Sequence, residues 1–90
     1  MEITYSIIVK GKVQGVFYRQ STKEKAIAIG VKGIVRNEND GSVKIIATGS
    51  KEQLDKLIEW CRQGPPKATV ESVHAKEEAY RNFTGFSIDR

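Results

Sequence analysis

Apolar and polar residues alternate over residues 3–9, with Ile3, Tyr5, Ile7 and Val9 on one side and Thr4, Ser6 and Ile8 on the other. A period of two, rich in β-branched residues, predicts a strand. A glycine-containing stretch, Gly11 to Val16, follows it. In FYRQSTKEKAIAIG the period changes. Tyr18, Thr22, Ala26 and Ile29 share one helical face, and Gly30 is placed to end the helix in a left-handed conformation. Residues 33–38 read as a second strand and Val43 to Thr48 as a third. Between them, Glu38-Asn39-Asp40-Gly41-Ser42 is a hairpin signal, because Asp-Gly tolerates the positive φ of tight hairpin turns. The second helix has the sharpest pattern. Ser50 and Gln53 are spaced as a capping box, and Leu54, Leu57, Ile58 and Cys61 form one apolar stripe with Trp60 at its flank. Gly64-Pro65-Pro66 stops that helix. Thr69 to Glu77 predicts a fourth strand and Phe83 to Ile88 a short terminal one.

The element order βαββαβ, with a small β addition, predicts an α+β fold of the ferredoxin-like split-βαβ kind. Its antiparallel four-stranded sheet has the order 4-1-3-2, with both helices on one face. Strands one and two then run parallel with strand three between them, so their ends share one edge of the molecule. That places Arg19, after strand one, near Asn37, late in strand two. An open edge on strand two is a place where a second copy can pair, although a monomer is expected. Ninety residues suit one domain over 1–90 with a two-layer core.

Composition narrows the classes. Lysine and arginine number 15 against 11 acids, a formal charge of +4. This fits an anionic partner, a phosphorylated metabolite or a nucleic acid, and equally an ordinary basic surface. Cys61 is the only cysteine, so an internal disulfide is excluded and no zinc-ligand spacing exists. A reduced, cytoplasmic setting is expected. The start MEITYSIIVKGK has no signal-peptide pattern, and the longest apolar run is far too short to cross a bilayer, so no membrane partner is expected.

The candidate chemistry begins at Gly11-Lys12-Val13-Gln14-Gly15-Val16-Phe17-Tyr18-Arg19, between a strand and a helix start. Backbone N–H groups there lack helical partners, and the helix dipole favours an anion. Gly15 lets the chain turn so that successive amides converge. Arg19 opens the helix beside those amides, and its planar fork matches two phosphate oxygens as a lysine cannot. The same loop also reads as a plain connection with a solvated arginine. No Gly-Lys-Ser/Thr follows, so it is not a Walker A loop. Asn37, placed at a solvent-facing position before the hairpin, has an amide able to accept from a water and donate to a phosphate oxygen. It reads equally as a turn-forming asparagine. Arg36 alternates to the other face as surface charge. His74, inside strand four, has no serine or cysteine partner. Cys61 lies on the buried stripe, Glu77 and Glu78 face opposite ways, Lys23-Glu24-Lys25 is a solvated helix surface, and Lys67 has no role.

GKVQGVFYR resembles the acylphosphatase pattern G-x-V-Q-G-V-x-F-R, and GIVRNENDGSV resembles that family's second motif, G-x-V-x-N-x-x-D-G-x-V. GPPKATVESV and FTGFSIDR are similar to its later blocks, so the resemblance covers nearly the whole chain. Tyr18 stands where phenylalanine is usual and Ile34 where tryptophan is common; both keep apolar bulk. The resemblance implies the fold above, hydrolysis of the carboxyl–phosphate bond of acyl phosphates, and no metal or cofactor. It also implies a phosphate-binding arginine at Arg19, a catalytic asparagine at Asn37, and a cradle of amides from Gln14, Gly15, Val16, Phe17, Tyr18 and Arg19.

Two rivals come from other classes. The segment Arg81-Asn82-Phe83-Thr84-Gly85-Phe86-Ser87-Ile88 echoes an RNA-binding pattern, but that pattern belongs on a central third strand, and VKIIAT has no aromatic. The other rival is a catalytically idle domain that only binds an anion. No nucleic-acid partner is expected.

Overall fold

The computed structural model describes residues 1–89, so the last residue of the expected domain and of FTGFSIDR, Arg90, lies outside them. The chain runs β1 (Ile3–Lys12), α1 (Tyr18–Ile29), β2 (Lys32–Asn37), β3 (Val43–Gly49), α2 (Lys51–Gln63), β4 (Thr69–Glu78), β5 (Phe86–Ile88). The sheet order is β4-β1-β3-β2-β5. The first four strands thus take the expected 4-1-3-2 arrangement, and β1 and β2 each pair antiparallel to β3, which makes them parallel to one another.

The fifth strand corrects two expectations. It starts at Phe86 rather than Phe83, and it pairs parallel to β2, with Gly33 opposite Phe86 and Val35 opposite Ile88. The sheet is therefore mixed, and the edge of β2 expected to be open is covered. A hydroxyl ring directs the chain there. The Arg81 amide donates to Thr4 Oγ1 at 2.9 Å, and Thr48 Oγ1 donates to the Arg81 carbonyl at 2.7 Å. With the Thr48 proton so used, the 2.6 Å contact between the two hydroxyls has Thr4 as donor. All four polar groups are satisfied, and Thr4, on the sheet side away from the helices, is fully buried beneath the segment that leads to β5. Only residues 86–88 of the RNA-like segment are strand, and Phe86 is 7% exposed, so its ring cannot stack a base.

The core lies between the sheet and the two helices. Ile7, Val9, Val35, Val43, Ile45 and Ala47 supply the sheet side, and Leu54, Leu57, Cys61, Tyr18 and Ala26 the helix side. Burial of about this many aliphatic side chains is the main stabilising term. The end of α1 and the start of α2 are closed by side chains and backbone that the pattern anticipated. Gly30, at φ 97°, allows Val31 N to reach the Ala26 carbonyl and Gly30 N the Ile27 carbonyl, a Schellman ending. At the start of α2 the Ser50 hydroxyl accepts from Gln53 N, and Ser50 N donates to Gln53 Oε1. Gln53 Nε2 also donates to the Ile29 carbonyl, so one residue caps both helices.

The hairpin differs in detail from its expectation. Gly41 has φ 93°, but Asp40 does not take positive φ. Five residues, 38–42, connect the strands, held by Glu38 N to Ser42 O and Gly41 N to Glu38 O. Asp40 serves through its side chain, accepting from both Ser42 N and Ser42 Oγ.

Candidate functional site

β1 leads into the stretch between Val13 and Phe17, where the backbone turns twice through left-handed geometry, at Gly15 (φ 73°) and Phe17 (φ 64°). Left-handed residues between right-handed ones turn successive N–H groups to one side, the arrangement of an anion nest. Phe17 is also the N-cap of α1. Its side chain makes no cap, and no acidic residue stands in the first turn. The helix thus begins with its donors uncapped by side chains and its dipole uncompensated.

Asn37 closes the other side. It ends β2, and its register opposite Val43, together with alternation from Val35, turns it towards the helix layer. A cleft of about 310 Å³ is lined by Val13, Gly15, Phe17, Tyr18, Arg19, Gln20, Asn37 and Ile88. The parallel return of β1 and β2 therefore brings Arg19 and Asn37 to one cleft across a sequence gap of eighteen residues. Asn37 is half-buried rather than solvent-facing, and its Oδ1 is buried with no hydrogen-bond partner among the described residues. An unpaired buried carbonyl-type oxygen costs about 1–3 kcal/mol.

Of the other candidates, Gln14 and Val16 do not line the cleft. Val16 is buried in the core. Gln14 turns away, its Nε2 donating to the carbonyls of Glu38 (2.8 Å) and Ser42 (2.9 Å). That pair of bonds fastens the β1–α1 loop to the hairpin that follows Asn37, a contact that nothing in the sequence pattern indicates.

The family model for acylphosphatase matches residues 5–88. The chain belongs to the acylphosphatase family. A curated acylphosphatase of Acaryochloris marina is 49% identical over 88 residues, spanning 98% of this chain and 95% of the relative. Among solved structures, the acylphosphatase of Coxiella burnetii superposes with a TM-score of 0.95 at 35% identity, covering 98% of this chain and 93% of that one. The crystal structure of acylphosphatase from Bacillus subtilis gives 0.94 at 33% identity, covering all of both chains. The resemblance carried by the two leading motifs is thus borne out, and so are the ferredoxin-like fold and the enzyme class.

Tyr18, where the acylphosphatase motif usually has phenylalanine, uses its hydroxyl. It donates to the Cys61 carbonyl at 2.8 Å. In a helix that carbonyl would accept from residue 65, which is Pro65 and has no N–H. The phenol thus satisfies an orphan group at the end of α2, and burial pushes its pKa up. Its ring packs 5.5 Å from that of Trp60, which joins the core as expected. Cys61 is fully buried and its thiol is pushed up to about 12, chiefly by burial, so it is a small core hydrophobe and no nucleophile. His74 lies exposed on β4, away from the cleft. Arg36 is surface charge, with Glu38 at 3.4 Å and Asp89 at 3.7 Å. Among the described residues no group of three or more His, Cys, Asp or Glu side chains is placed to hold a metal.

Proposed function

We propose that the chain hydrolyses the carboxyl–phosphate bond of acyl phosphates, releasing a carboxylate and inorganic phosphate, without a metal or cofactor. Arg19 and the amides of the Gln14–Arg19 loop hold the phosphoryl group. Asn37 places the attacking water. An acyl phosphate is a mixed anhydride whose carboxylate leaves readily, so no strong general acid is needed. The work left to the protein is charge neutralisation and alignment. The water oxygen attacks phosphorus in line, and the bond from phosphorus to the carboxyl oxygen breaks with its electron pair. The water's proton passes to a phosphoryl oxygen, since an asparagine is no base at neutral pH.

The observation that carries this reading is the unpartnered Asn37 Oδ1, buried in the cleft that Arg19 lines. A buried, unpartnered acceptor beside a nest of donors is suited to one proton of a water whose oxygen faces the bound phosphorus. A single buried thiol fits a cytoplasmic enzyme, and a β2 edge covered by β5 fits a monomer.

Arg19→Ala tests the phosphate-holding role. Turnover of acetyl phosphate is expected to fall at least about 10²–10³-fold, and inorganic phosphate binding to weaken with it. Turnover close to that of the unaltered protein would remove Arg19 from the mechanism.

A further inference from the structure

We propose that Gln14 is a positioning residue for the reaction: its side chain sets the spacing between the amide nest and Asn37, so that the water held by one faces the phosphorus held by the other. The proposal rests on the acyl-phosphate reading of the cleft and concerns how the two halves of that cleft are kept in register.

The sheet leaves that spacing open. β3 lies between β1 and β2. The β1–β3 ladder ends with Val9 opposite Val43, and the β2–β3 ladder ends with Asn37 opposite the same Val43. Val9 and Asn37 therefore stand two strand spacings apart, about 9–10 Å. Past that row β1 shifts register at Lys10/Gly11, and its ladder continues with β4 alone, as far as Lys12 opposite Thr69. β4 is the neighbour on the side of β1 away from β2. The strand that leads into the nest is thus tied to one side of the sheet and Asn37 to the other, with no ladder bond between them at the level of the cleft.

Gln14 spans the gap. Among the described residues, the hydrogen bonds between residues 13–17 and the hairpin are the two from its Nε2, to the carbonyls of Glu38 at 2.8 Å and Ser42 at 2.9 Å. Glu38 follows Asn37 directly, and Glu38 N donates to the Ser42 carbonyl, so both acceptors belong to the ring that closes the hairpin. A primary amide nitrogen carries two protons in one plane, and both are used. A hydroxyl has one such proton and a carboxylate none, which accounts for the residue type. The side chain does not line the cleft, so it touches neither phosphate nor water there. The core contribution of this loop comes from Val13 and Val16 instead. The nest is shaped without the Gln14 side chain: its left-handed turns are at Gly15 and Phe17, and the Tyr18 hydroxyl fastens the start of α1 to the Cys61 carbonyl. What remains for the Gln14 amide is the place of Asn37 relative to the nest. In-line attack is sensitive to that place, since a misplacement of about 1 Å costs up to about 10²-fold.

Gln14→Met keeps the length, the bulk and the backbone amide but has no side-chain proton to donate. Its kcat for acetyl phosphate is expected to fall about ten- to a hundredfold, while its affinity for inorganic phosphate stays close to that of the unaltered protein. Combining it with Asn37→Ala separates positioning from a loosened fold. Because Gln14 acts through Asn37, the double variant should turn over no more slowly than Asn37→Ala alone. NMR gives a readout free of turnover: inorganic phosphate should shift the Asn37 side-chain amide resonance in the unaltered protein and leave it nearly unmoved in Gln14→Met. A kcat close to the unaltered value in Gln14→Met overturns the proposal. So does a phosphate affinity that falls in step with kcat, or a loss that multiplies onto that of Asn37→Ala. If the unaltered protein turns over no acyl phosphate, the hydrolytic reading falls and the resonance alone decides. A shift retained in Gln14→Met then overturns the role of Gln14, and a shift lost while phosphate still binds upholds it.

Discussion

Asn37 and Tyr18 show how far a residue type in a sequence carries. That Arg19 and Asn37 meet at one cleft was legible in the order of the elements, which puts the ends of β1 and β2 on one edge. The environment of Asn37 was not legible, since whether its oxygen is exposed or buried depends on how α1 packs against β2. Gln14 was read for its backbone and matters equally for its side chain. Its acceptors are the carbonyls of Glu38 and Ser42, which every residue possesses and no sequence marks. For Tyr18 a signal did exist. A proline four residues after Cys61 leaves one carbonyl of α2 without its helical donor, and the Tyr18 hydroxyl replaces it. Tyr18→Phe removes that hydroxyl and strands a buried carbonyl, which should lower stability by about 1–3 kcal/mol. A fall in urea midpoint of the matching size checks this, and an unchanged midpoint would show that water reaches the carbonyl.

At the scale of elements, α2 was read to within a residue because all its signals are local: the Ser50–Gln53 box, the apolar stripe and the Gly-Pro-Pro stop. β5 was misjudged because its start depends on contacts remote in sequence. The ring through Thr4, Thr48 and Arg81 ties Arg81 to β1 and β3, and bonding to β2 begins only at the Gly85 carbonyl, which accepts from Gly33 N; nothing in FTGFSI announces that. The hairpin was found by its Asp-Gly pair, but Asp40 contributes an acceptor rather than a positive φ. Hydrogen bonds from Ser42 hold the Asp40 carboxyl below its ordinary value. A folded-state pKa below the unfolded one means stability that is fully present above the ordinary carboxylate range. It is lost as pH falls through the depressed folded value. The stability lead of the unaltered protein over Asp40→Ala should therefore hold at neutral pH and narrow on acidification below that range. Urea midpoints measured across the pH series test this, and a lead that does not vary with pH would contradict it.

At the scale of the whole molecule, the order of strands was readable from the order of elements, since βαββαβ has one common antiparallel solution. What that order does for function is to fold two distant loop ends onto one edge, where Arg19, Asn37 and the nest share a cleft. The covered β2 edge was hidden for the reason that β5 was. The two outer edges are protected by other means: β5 is three residues long, and β4 carries Glu71, Lys76, Glu77 and Glu78. The account's central claim is a division of labour across that cleft, with phosphate held from the α1 side and water placed from the β2 side. Asn37→Ala tests it most directly, with kcat for acetyl phosphate, affinity for inorganic phosphate and urea midpoint taken from one preparation. Removing the unpaired oxygen relieves its burial cost while the lost side-chain packing offsets that gain, so stability should change by no more than about 1 kcal/mol. Phosphate affinity should stay close to that of the unaltered protein, while kcat falls about 10²–10³-fold, the signature of an interaction made on the way to the transition state. A kcat left intact, or a phosphate affinity that collapses together with kcat while the fold holds, would contradict the claim.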